Sequence, residues 1–434
     1  MSTNNLNHTP TANRTHIGIF GKRNAGKSSL INALTGQNIA IVSDTKGTTT
    51  DPVYKAMELL PLGPVVMIDT PGLDDLGELG KLRIQKAYEV LNKTDLALLV
   101  VDVISGITEE DKEILTRIQK KQIPHILVYN KGDLLSVRNI SEPSANVLPE
   151  SSSISRSESS ANNQPESSPE FSILSQIANH QLTVSSITGE NISPLKELIA
   201  TLATEEAPPI PLVRDLIAPG DFVVLVTPID ESAPKGRLIL PQQQMIRDIL
   251  EGDANAIVIK ETELESTLAN LGKTPALVIT DSQIFGYVDE RVPREIPLTS
   301  FSILFARHKG ILKTAVTGAF AFDRLEDGDQ ILISEGCTHH RQCNDIGTVK
   351  LPKWITEYTK RQLSFAFSSG ASFPEDLSPY ACVVHCGGCM LNEREVQYRI
   401  QIAAEQDIPM TNYGTAIAKI HGILERSIEP LQPL

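Results

Sequence analysis

Short apolar runs alternate with amphipathic stretches along most of the chain, and many of the runs end in polar or glycine-rich residues. Clear runs occupy residues 16–20, 65–68 and 126–129. Uninterrupted apolar runs of this length are typical of strands covered on both faces, as in parallel sheets flanked by helices. We therefore predict an α/β fold with mainly parallel sheets.

The segment Pro208-Pro209-Ile210-Pro211 interrupts this alternation and predicts a linker between domains. Beyond it, apolar runs and amphipathic stretches predict strands at 222–226, 256–259, 276–279, 330–334 and 381–384, with helices at 242–250 and 261–271. The predicted domains are 16–207, 208–298 and 299–434. The middle domain is small and has exposed sheet edges, so we expect it to form a homodimer by pairing with a copy of itself.

Two segments lack the apolar pattern of a folded domain. Residues 1–15 are polar, and residues 141–170 are rich in Ser, Pro, Asn and Glu. Such compositions bury too little surface to offset the entropy lost on ordering. We predict a disordered N-terminus and a disordered insertion before the last strand of the first domain.

Composition narrows the class of protein. The net charge of −14 argues against partners that are nucleic acids or anionic membranes, which require clustered positive charge. No apolar run approaches the roughly 20 residues that span a bilayer, so we expect a cytoplasmic protein. The five cysteines are an odd number, and all lie in the last quarter of the chain. They fit metal binding in a reducing compartment better than disulfides.

Residues 21–28 contain the full G-x-x-x-x-G-K-S pattern between a predicted strand and a predicted helix. This spacing lets backbone N–H groups surround phosphate oxygens, brings a lysine to the β and γ phosphates, and places a serine on Mg²⁺. The motif therefore predicts a P-loop domain. The residues expected to contact nucleotide here are Gly21, Asn24, Ala25, Gly26, Lys27, Ser28 and Ser29.

Three further motifs follow predicted strands in the order expected of a GTPase. Asp69-Thr70-Pro71-Gly72 places a carboxylate where it can hold Mg²⁺ through water, and the N–H of Gly72 near the γ-phosphate. In Asn130-Lys131-Gly132-Asp133, the carboxylate can accept two hydrogen bonds from guanine that adenine cannot offer. Ser185-Ser186 is a weaker match to the last element. We expect Lys27, Asp69 and Gly72 to be the catalytic residues.

These motifs resemble the Era and MnmE branch of small GTPases over the first 207 residues. Residues 47–51 (Gly-Thr-Thr-Thr-Asp) are similar to its switch I signature, with Thr50 in place of the usual arginine. The resemblance implies that Thr48 or Thr49 joins Ser28 and Asp69 on Mg²⁺. Leu73 replaces a water-orienting glutamine, and Asn24 matches the position that holds K⁺ in potassium-stimulated relatives. Asn24 could also be an ordinary turn residue.

Two groups of thiols and imidazoles follow predicted strands near the C-terminus: Cys337-Thr338-His339 and His385-Cys386-Gly387-Gly388-Cys389. If both strands belong to one parallel sheet, their carboxyl ends lie together and the groups converge. Three thiolates favour an iron–sulfur cluster site one ligand short of four, with His339 or His385 as the candidate fourth ligand. A zinc site, a redox pair and ordinary core residues remain alternatives. We interpret Cys343, Cys382, His308 and His340 as having no metal role.

The two groups together with the upstream GTPase resemble the [FeFe]-hydrogenase maturation GTPases, the HydF family, over essentially the whole chain. The family pattern falls on Cys337, His339, His385, Cys386 and Cys389. The resemblance implies a scaffold that hydrolyses GTP, binds a [4Fe–4S] cluster, receives a transient diiron subcluster made with radical-SAM maturases, and delivers it to apo-hydrogenase. The alternative is a ribosome-assembly or tRNA-modifying GTPase with a structural zinc site.

Overall fold

A computed structural model of the 434-residue chain describes residues 11–36, 51–72, 78–138, 180–204, 210–229, 238–336, 345–370 and 373–432. The chain divides into two compact units, Met1–Ala207 and Pro208–Leu434. Several predictions lie outside the described residues. They concern Thr48, Thr49, Thr50, Leu73, the 141–170 insertion, Cys337, His339, His340 and Cys343.

The first unit contains a six-stranded sheet in the order β2-β3-β1-β4-β5-β6. Only β2 is antiparallel to its neighbour; the other pairs are parallel. The strands are β1 Thr15–Phe20, β2 Val53–Leu59, β3 Gly63–Asp69, β4 Leu96–Asp102, β5 His125–Asn130 and β6 Gln181–Thr183. The helices are α1 Lys27–Thr35, α2 Glu78–Leu91, α3 Glu109–Lys120, α4 Asp133–Arg138 and α5 Ile192–Thr204.

Helices cover both faces of this sheet, as its apolar strands predict. Ile17 and Leu98 belong to one buried cluster with α1 and α5, whereas Phe20 and Leu99 belong to another with α2 and α3. The folded part of the first unit begins before His16, the residue predicted to start the domain. The side chain of Arg14 is buried and donates to the Met57 carbonyl at 3.0 Å, which fixes the approach to β1.

The second unit contains two four-stranded parallel sheets, in the orders β10-β9-β7-β8 and β12-β11-β13-β14. The strands are β7 Phe222–Val226, β8 Asn255–Ile259, β9 Leu277–Thr280, β10 Leu298–Ser300, β11 Gln330–Glu335, β12 Ser364–Ser369, β13 Cys382–His385 and β14 Met410–Asn412. The helices are α6 Leu240–Glu251, α7 Leu264–Asn270, α8 Phe285–Asp289, α9 Phe301–His308, α10 Leu312–Ala319, α11 Leu351–Thr359, α12 Glu393–Glu405, α13 Tyr413–Ile420 and α14 Leu424–Ile428.

The predicted α/β class with mainly parallel sheets is confirmed. One predicted boundary, between residues 298 and 299, runs through β10, which pairs with β9 of the preceding sheet. A strand of only three residues is too short for its periodicity to be recognised. The buried cluster that includes Val224 of the first sheet also includes Leu304 of α9 and Ala418 of α13, so the core of the first sheet extends to helices that follow it in the chain. Among the described residues, no helix is long and apolar enough to cross a membrane.

Candidate functional site

The loop between β1 and α1 has the backbone shape that its glycines predict. Gly21 has φ of 139°, and a Cβ there would lie 2.1 Å from the Val100 carbonyl oxygen. Gly26 has φ of 91°, and a Cβ there would lie 2.2 Å from Nδ2 of Asn130. A side chain would be strained at both positions, so glycine is required for the loop to close over its neighbours.

Lys27 begins α1, and its buried amine donates to the Gly21 and Lys22 carbonyl oxygens at 2.8 Å each. Ser28 Oγ donates to Asp69 Oδ2 at 2.8 Å, so the two predicted Mg²⁺ ligands are in contact. Burial raises the pKa of Asp69, although the Ser28 hydrogen bond and the Lys27 charge oppose this. A cation bound between Ser28 and Asp69 would favour the ionised carboxylate further.

The guanine side is held together by Asn130 at the end of β5. Its Nδ2 donates to the Ala25 carbonyl at 3.1 Å, and its Oδ1 accepts from the backbone N and Oγ of Ser186 at 3.1 and 2.9 Å. Asp133 Oδ1 accepts from Ser185 Oγ at 2.6 Å. The weak Ser185-Ser186 match therefore lies beside the specificity motif.

One ion pair at this site was not identified from the sequence. Lys131 has φ of 66°, and its amine contacts Asp102 Oδ2 at 2.7 Å at the end of β4. Asp102, the acidic residue at the end of the apolar run of β4, was the feature of the sequence that could have indicated this ion pair. Across the first unit, residues from the ends of β1, β3, β5 and β6 thus meet around one phosphate-binding loop.

In the second unit, β11 and β13 are adjacent and parallel, with Ser334 paired to His385, which confirms the predicted shared sheet. Their carboxyl ends meet as expected. The backbone N–H of Gly336 donates to Cys386 Sγ at 3.0 Å, although the two residues are 50 positions apart. Cys337 follows Gly336 directly but lies outside the described residues.

The Cys386 thiol lies in a turn that points backbone N–H groups at its sulfur. Besides Gly336, Gly388 donates its N–H to Cys386 Sγ at 3.4 Å, and φ of 63° at Gly388 makes this turn possible. Burial raises the pKa of Cys386, and these two N–H groups oppose the rise. Burial also raises the pKa of Cys389. Donors of this kind stabilise a thiolate bound to a metal or cluster.

His385 is buried, and both of its ring nitrogens are engaged. Nδ1 donates to the Cys386 carbonyl at 2.6 Å, and Nε2 accepts from the Arg399 guanidinium at 3.0 Å. Burial, then the positive charge of Arg399, lowers the pKa of His385 to about 3, so the imidazole is neutral. In this arrangement, His385 has no free lone pair for a metal.

Arg399 occupies a core position of α12 together with Val396 and Ala403. Its guanidinium donates to Glu395 at 2.8 Å, to the Gly370 carbonyl at 2.6 Å and to Ser334 Oγ at 3.3 Å. This residue was not identified from the sequence, although a charge at helical spacing among apolar residues was a usable signal.

Lys309, at the C-terminal end of α9, is a second buried cation beside the cysteines. Its amine donates to the Leu391 carbonyl at 2.7 Å and also to the Gly388 carbonyl. Burial lowers the pKa of Lys309 to about 8, while negative charge on Cys389 and Cys386 opposes the shift. No sequence pattern marked Lys309.

Cys382, interpreted from the sequence as having no metal role, is fully buried in the core, and burial raises the pKa of its thiol to about 12. Among the described residues, no three His, Cys, Asp or Glu side chains are grouped to hold a metal ion. The group predicted from the sequence includes Cys337 and His339, which are not among them.

The fold and the nucleotide site of the first unit define a P-loop GTPase, and hydrolysis of GTP with Mg²⁺ is the activity of this class. Residues 16–131 match the family model described as a 50S ribosome-binding GTPase. Residues 212–310 match the hydrogen maturase F dimerization domain, and residues 313–430 match the hydrogen maturase F tetramerization domain. The chain belongs to the hydrogen maturase F family.

Curated relatives include two GTPases that match about a quarter of this chain. The tRNA modification GTPase MnmE of Nitrosomonas europaea is 42% identical over 117 residues, which is 27% of this chain and 26% of that protein. MnmE of Carboxydothermus hydrogenoformans is 46% identical over 118 residues, 27% and 25% of the two chains. The chain thus spans about a quarter of the length of these relatives.

Among solved structures, Era of Aquifex aeolicus bound to GDP·AlF4⁻ is 20% identical to this chain. The match covers 56% of this chain and 92% of that one, with a TM-score of 0.34.

Proposed function

We propose that this GTPase is a scaffold for hydrogenase maturation. In this proposal it binds a [4Fe–4S] cluster in the second unit, receives a diiron subcluster made with radical-SAM maturases, and delivers it to apo [FeFe]-hydrogenase. Both domains of the second unit match family-specific models, and the tetramerization-domain match covers Cys386 and Cys389, which supports the proposal. The observation that carries it is the Cys386 turn, whose sulfur accepts two backbone N–H groups.

The residues present fit a cluster. Cys386 and Cys389 are partly buried in a turn lined by N–H donors, and the Gly336 N–H brings the chain to within one residue of Cys337. These three cysteines would hold the cluster, whose chemistry here is to offer an exchangeable iron site. Because His385 is bound to Arg399, we infer that the fourth position is left to His339 or to an incoming ligand.

The first unit would act as a switch. The Lys27 amine donates hydrogen bonds to two P-loop carbonyls, and Ser28 donates one to Asp69. Bound GTP and Mg²⁺ must replace these hydrogen bonds. Loops that are ordered by the γ-phosphate and released after hydrolysis are the usual way such a change is transmitted. GTP turnover would therefore control loading or delivery.

Asn24 is the proposed K⁺ ligand. It is exposed in the P-loop with φ of 60°, which leaves its side chain accessible to a cation at the phosphates. A stimulation of GTP hydrolysis by K⁺ over Na⁺ that disappears in Asn24→Ala would support this assignment. Equal rates in both salts would contradict it.

The cluster assignment is tested by Cys386→Ser in anaerobically reconstituted protein. We expect this variant to lose the visible absorption and electron paramagnetic resonance signal of a [4Fe–4S] cluster, because one of three thiolates is gone, while GTP hydrolysis stays within about twofold of wild type. Cys382→Ser is the matched control, since Cys382 is buried in the core away from this turn.

A normal cluster signal in Cys386→Ser would contradict the ligand assignment. Colourless wild-type protein with one zinc per chain would instead favour a GTPase with a structural zinc site. Brown protein that contains iron and sulfide would favour the scaffold.

We also propose that the homodimer forms through the outer edge of β8. This strand ends its sheet, and Val258 is 41% exposed. Asn255 N donates to Asp221 O, and Ile259 O accepts from Thr227 N, so the alternate residue Val258 directs its backbone away from β7. Val258→Pro removes that outward N–H and is expected to shift the mass from dimer to monomer in light scattering, whereas Val258→Thr should not.

A further inference from the structure

The amine of Lys309 is buried, and the described part of the chain surrounds it with carbonyl oxygens and no paired carboxylate. Within the described part of the chain, its amine bonds only to the carbonyl oxygens of Gly388 and Leu391 and forms no ion pair with a carboxylate. Glu393 and Glu395 attract it only from farther away. An ammonium group taken from water without a paired anion is strongly destabilising.

Arg399 provides the contrast on the other side of the same turn. Its guanidinium is equally buried but forms an ion pair with Glu395 at 2.8 Å and stacks near Phe373, with its central carbon 5.1 Å from the ring centre. Its charge is therefore balanced by the protein itself. Of these two buried cations, Lys309 is the one whose charge the described carboxylates leave unbalanced.

The missing anion is best supplied by the group that the cysteines hold. The sequence of residues 337–344, Cys-Thr-His-His-Arg-Gln-Cys-Asn, contains no acidic residue, so its side chains can carry negative charge only as thiolates. A [4Fe–4S]²⁺ core on three thiolates carries a net charge of −1, and reduction adds a further negative charge. Such a group beside Lys309 would complete the ion pair.

Resting on the function proposed above, we propose that Lys309 is the internal counter-cation of the anionic metal cluster held by Cys386 and Cys389. It acts as a positioning residue: it clamps the Cys386–Leu391 turn by two carbonyls and stabilises the negative charge of the cluster. Gln397 Nε2 donates to the Lys309 carbonyl at 2.7 Å and so fixes the lysine against α12. Lys309 lies in the region that matches the dimerization domain, whereas both cysteines lie in the region that matches the tetramerization domain.

Three variants of the full chain separate charge from hydrogen bonding. Lys309→Gln keeps an amide donor for the carbonyls but removes the charge, Lys309→Met removes both, and Lys309→Arg keeps both. Lys313→Met is the control, because this exposed lysine on α10 is four residues away. Each protein is reconstituted with iron and sulfide, and the cluster reduction potential, the rate of iron loss to a chelator and the rise in thermal midpoint upon loading are measured.

We expect Lys309→Gln and Lys309→Met to shift the reduction potential downward and to lose iron about tenfold faster or more. Lys309→Arg and Lys313→Met should stay near wild type in both measurements. An unchanged potential in Lys309→Gln with normal iron retention would overturn the counter-cation role. If Lys309→Met lowers the thermal midpoints of the cluster-free and loaded proteins equally and leaves the potential unchanged, Lys309 is only a structural clamp, which also overturns it.

The proposed function fails in a different way. If reconstituted wild-type protein binds no iron–sulfur cluster, both the scaffold role and this inference are overturned. If wild type binds the cluster and Lys309→Gln behaves identically, only the inference is lost.

Discussion

The nucleotide site and the cysteine turn are built by opposite means. The nucleotide site is made mostly from contiguous motifs, in which glycine backbone geometry and neighbouring residues such as Lys27 and Ser28 do the binding. The cysteine turn, Cys386–Leu391, and the adjacent His385 accept hydrogen bonds from two buried cations outside the motif, Lys309 and Arg399. A site whose ligands are contiguous in the chain can be recognised from its sequence motif. A site whose charged groups come from distant parts of the chain can be recognised only once the structure is known.

The substitution Arg399→Met is expected to have the largest effect, and it tests whether the cysteine turn depends on a buried cation. Removing the guanidinium leaves the partly buried Glu395 without this ion pair and removes the donor to His385. We expect the second unit to lose about 3–5 kcal/mol of stability, as when one partner of a buried pair is deleted. Thermal unfolding would measure the loss, with the exposed residue Arg361→Met as the control. A midpoint within a degree of wild type would mean that the cysteine turn does not depend on this cation.

Lys27→Ala tests whether the two sites are separable. Loss of the amine that reaches the phosphates should reduce GTP hydrolysis by about 10²–10³-fold, which is about 2.7–4 kcal/mol. Iron and sulfide content should remain that of wild type. Phosphate release and metal analysis on one preparation provide both values, and Lys120→Ala on α3 is the surface control. Simultaneous loss of activity and metal would indicate a folding role for Lys27 instead.

The smallest expected effect is a change in the stability of the second unit with pH. Because the pKa of His385 falls from its ordinary 6.5 to about 3, the fold favours the neutral ring. This stabilisation is present above pH 6.5 and is lost as the pH falls toward 3. Between pH 7 and pH 5 it should decline by about 2 kcal/mol.

Urea unfolding of cluster-free protein at the two pH values measures this decline, and His385→Asn should flatten it while His180→Asn should not. An equally steep decline in His385→Asn would assign the pH dependence to other groups.

Much of the fold followed from apolar runs. The strands at Phe222–Val226 and Gln330–Glu335 were predicted within one residue, because buried parallel strands leave uninterrupted apolar segments. Strand β2 was not predicted, since its exposed and half-buried residues form no such run. Strand β10 is too short to produce a pattern.

The residues of the candidate sites also differ in whether the sequence could identify them. Asn130 and Asp133 could be assigned because their motif fixes their chemistry, and the structure brings both to the Ser185-Ser186 segment. Lys309 could not be assigned, because its burial results from contacts with residues 79 and 82 positions away. Such contacts exist only after the chain has folded.

The pairing of β11 with β13 has a kinetic consequence. Gly336 and Cys386 are 50 residues apart, so closing that loop is an entropic step that local structure cannot assist. The Cys386 sulfur therefore gains its Gly336 donor only when the parallel sheet has formed. If the chain holds a cluster as proposed, insertion of iron would follow folding of the second unit, and the bound cluster would slow its unfolding.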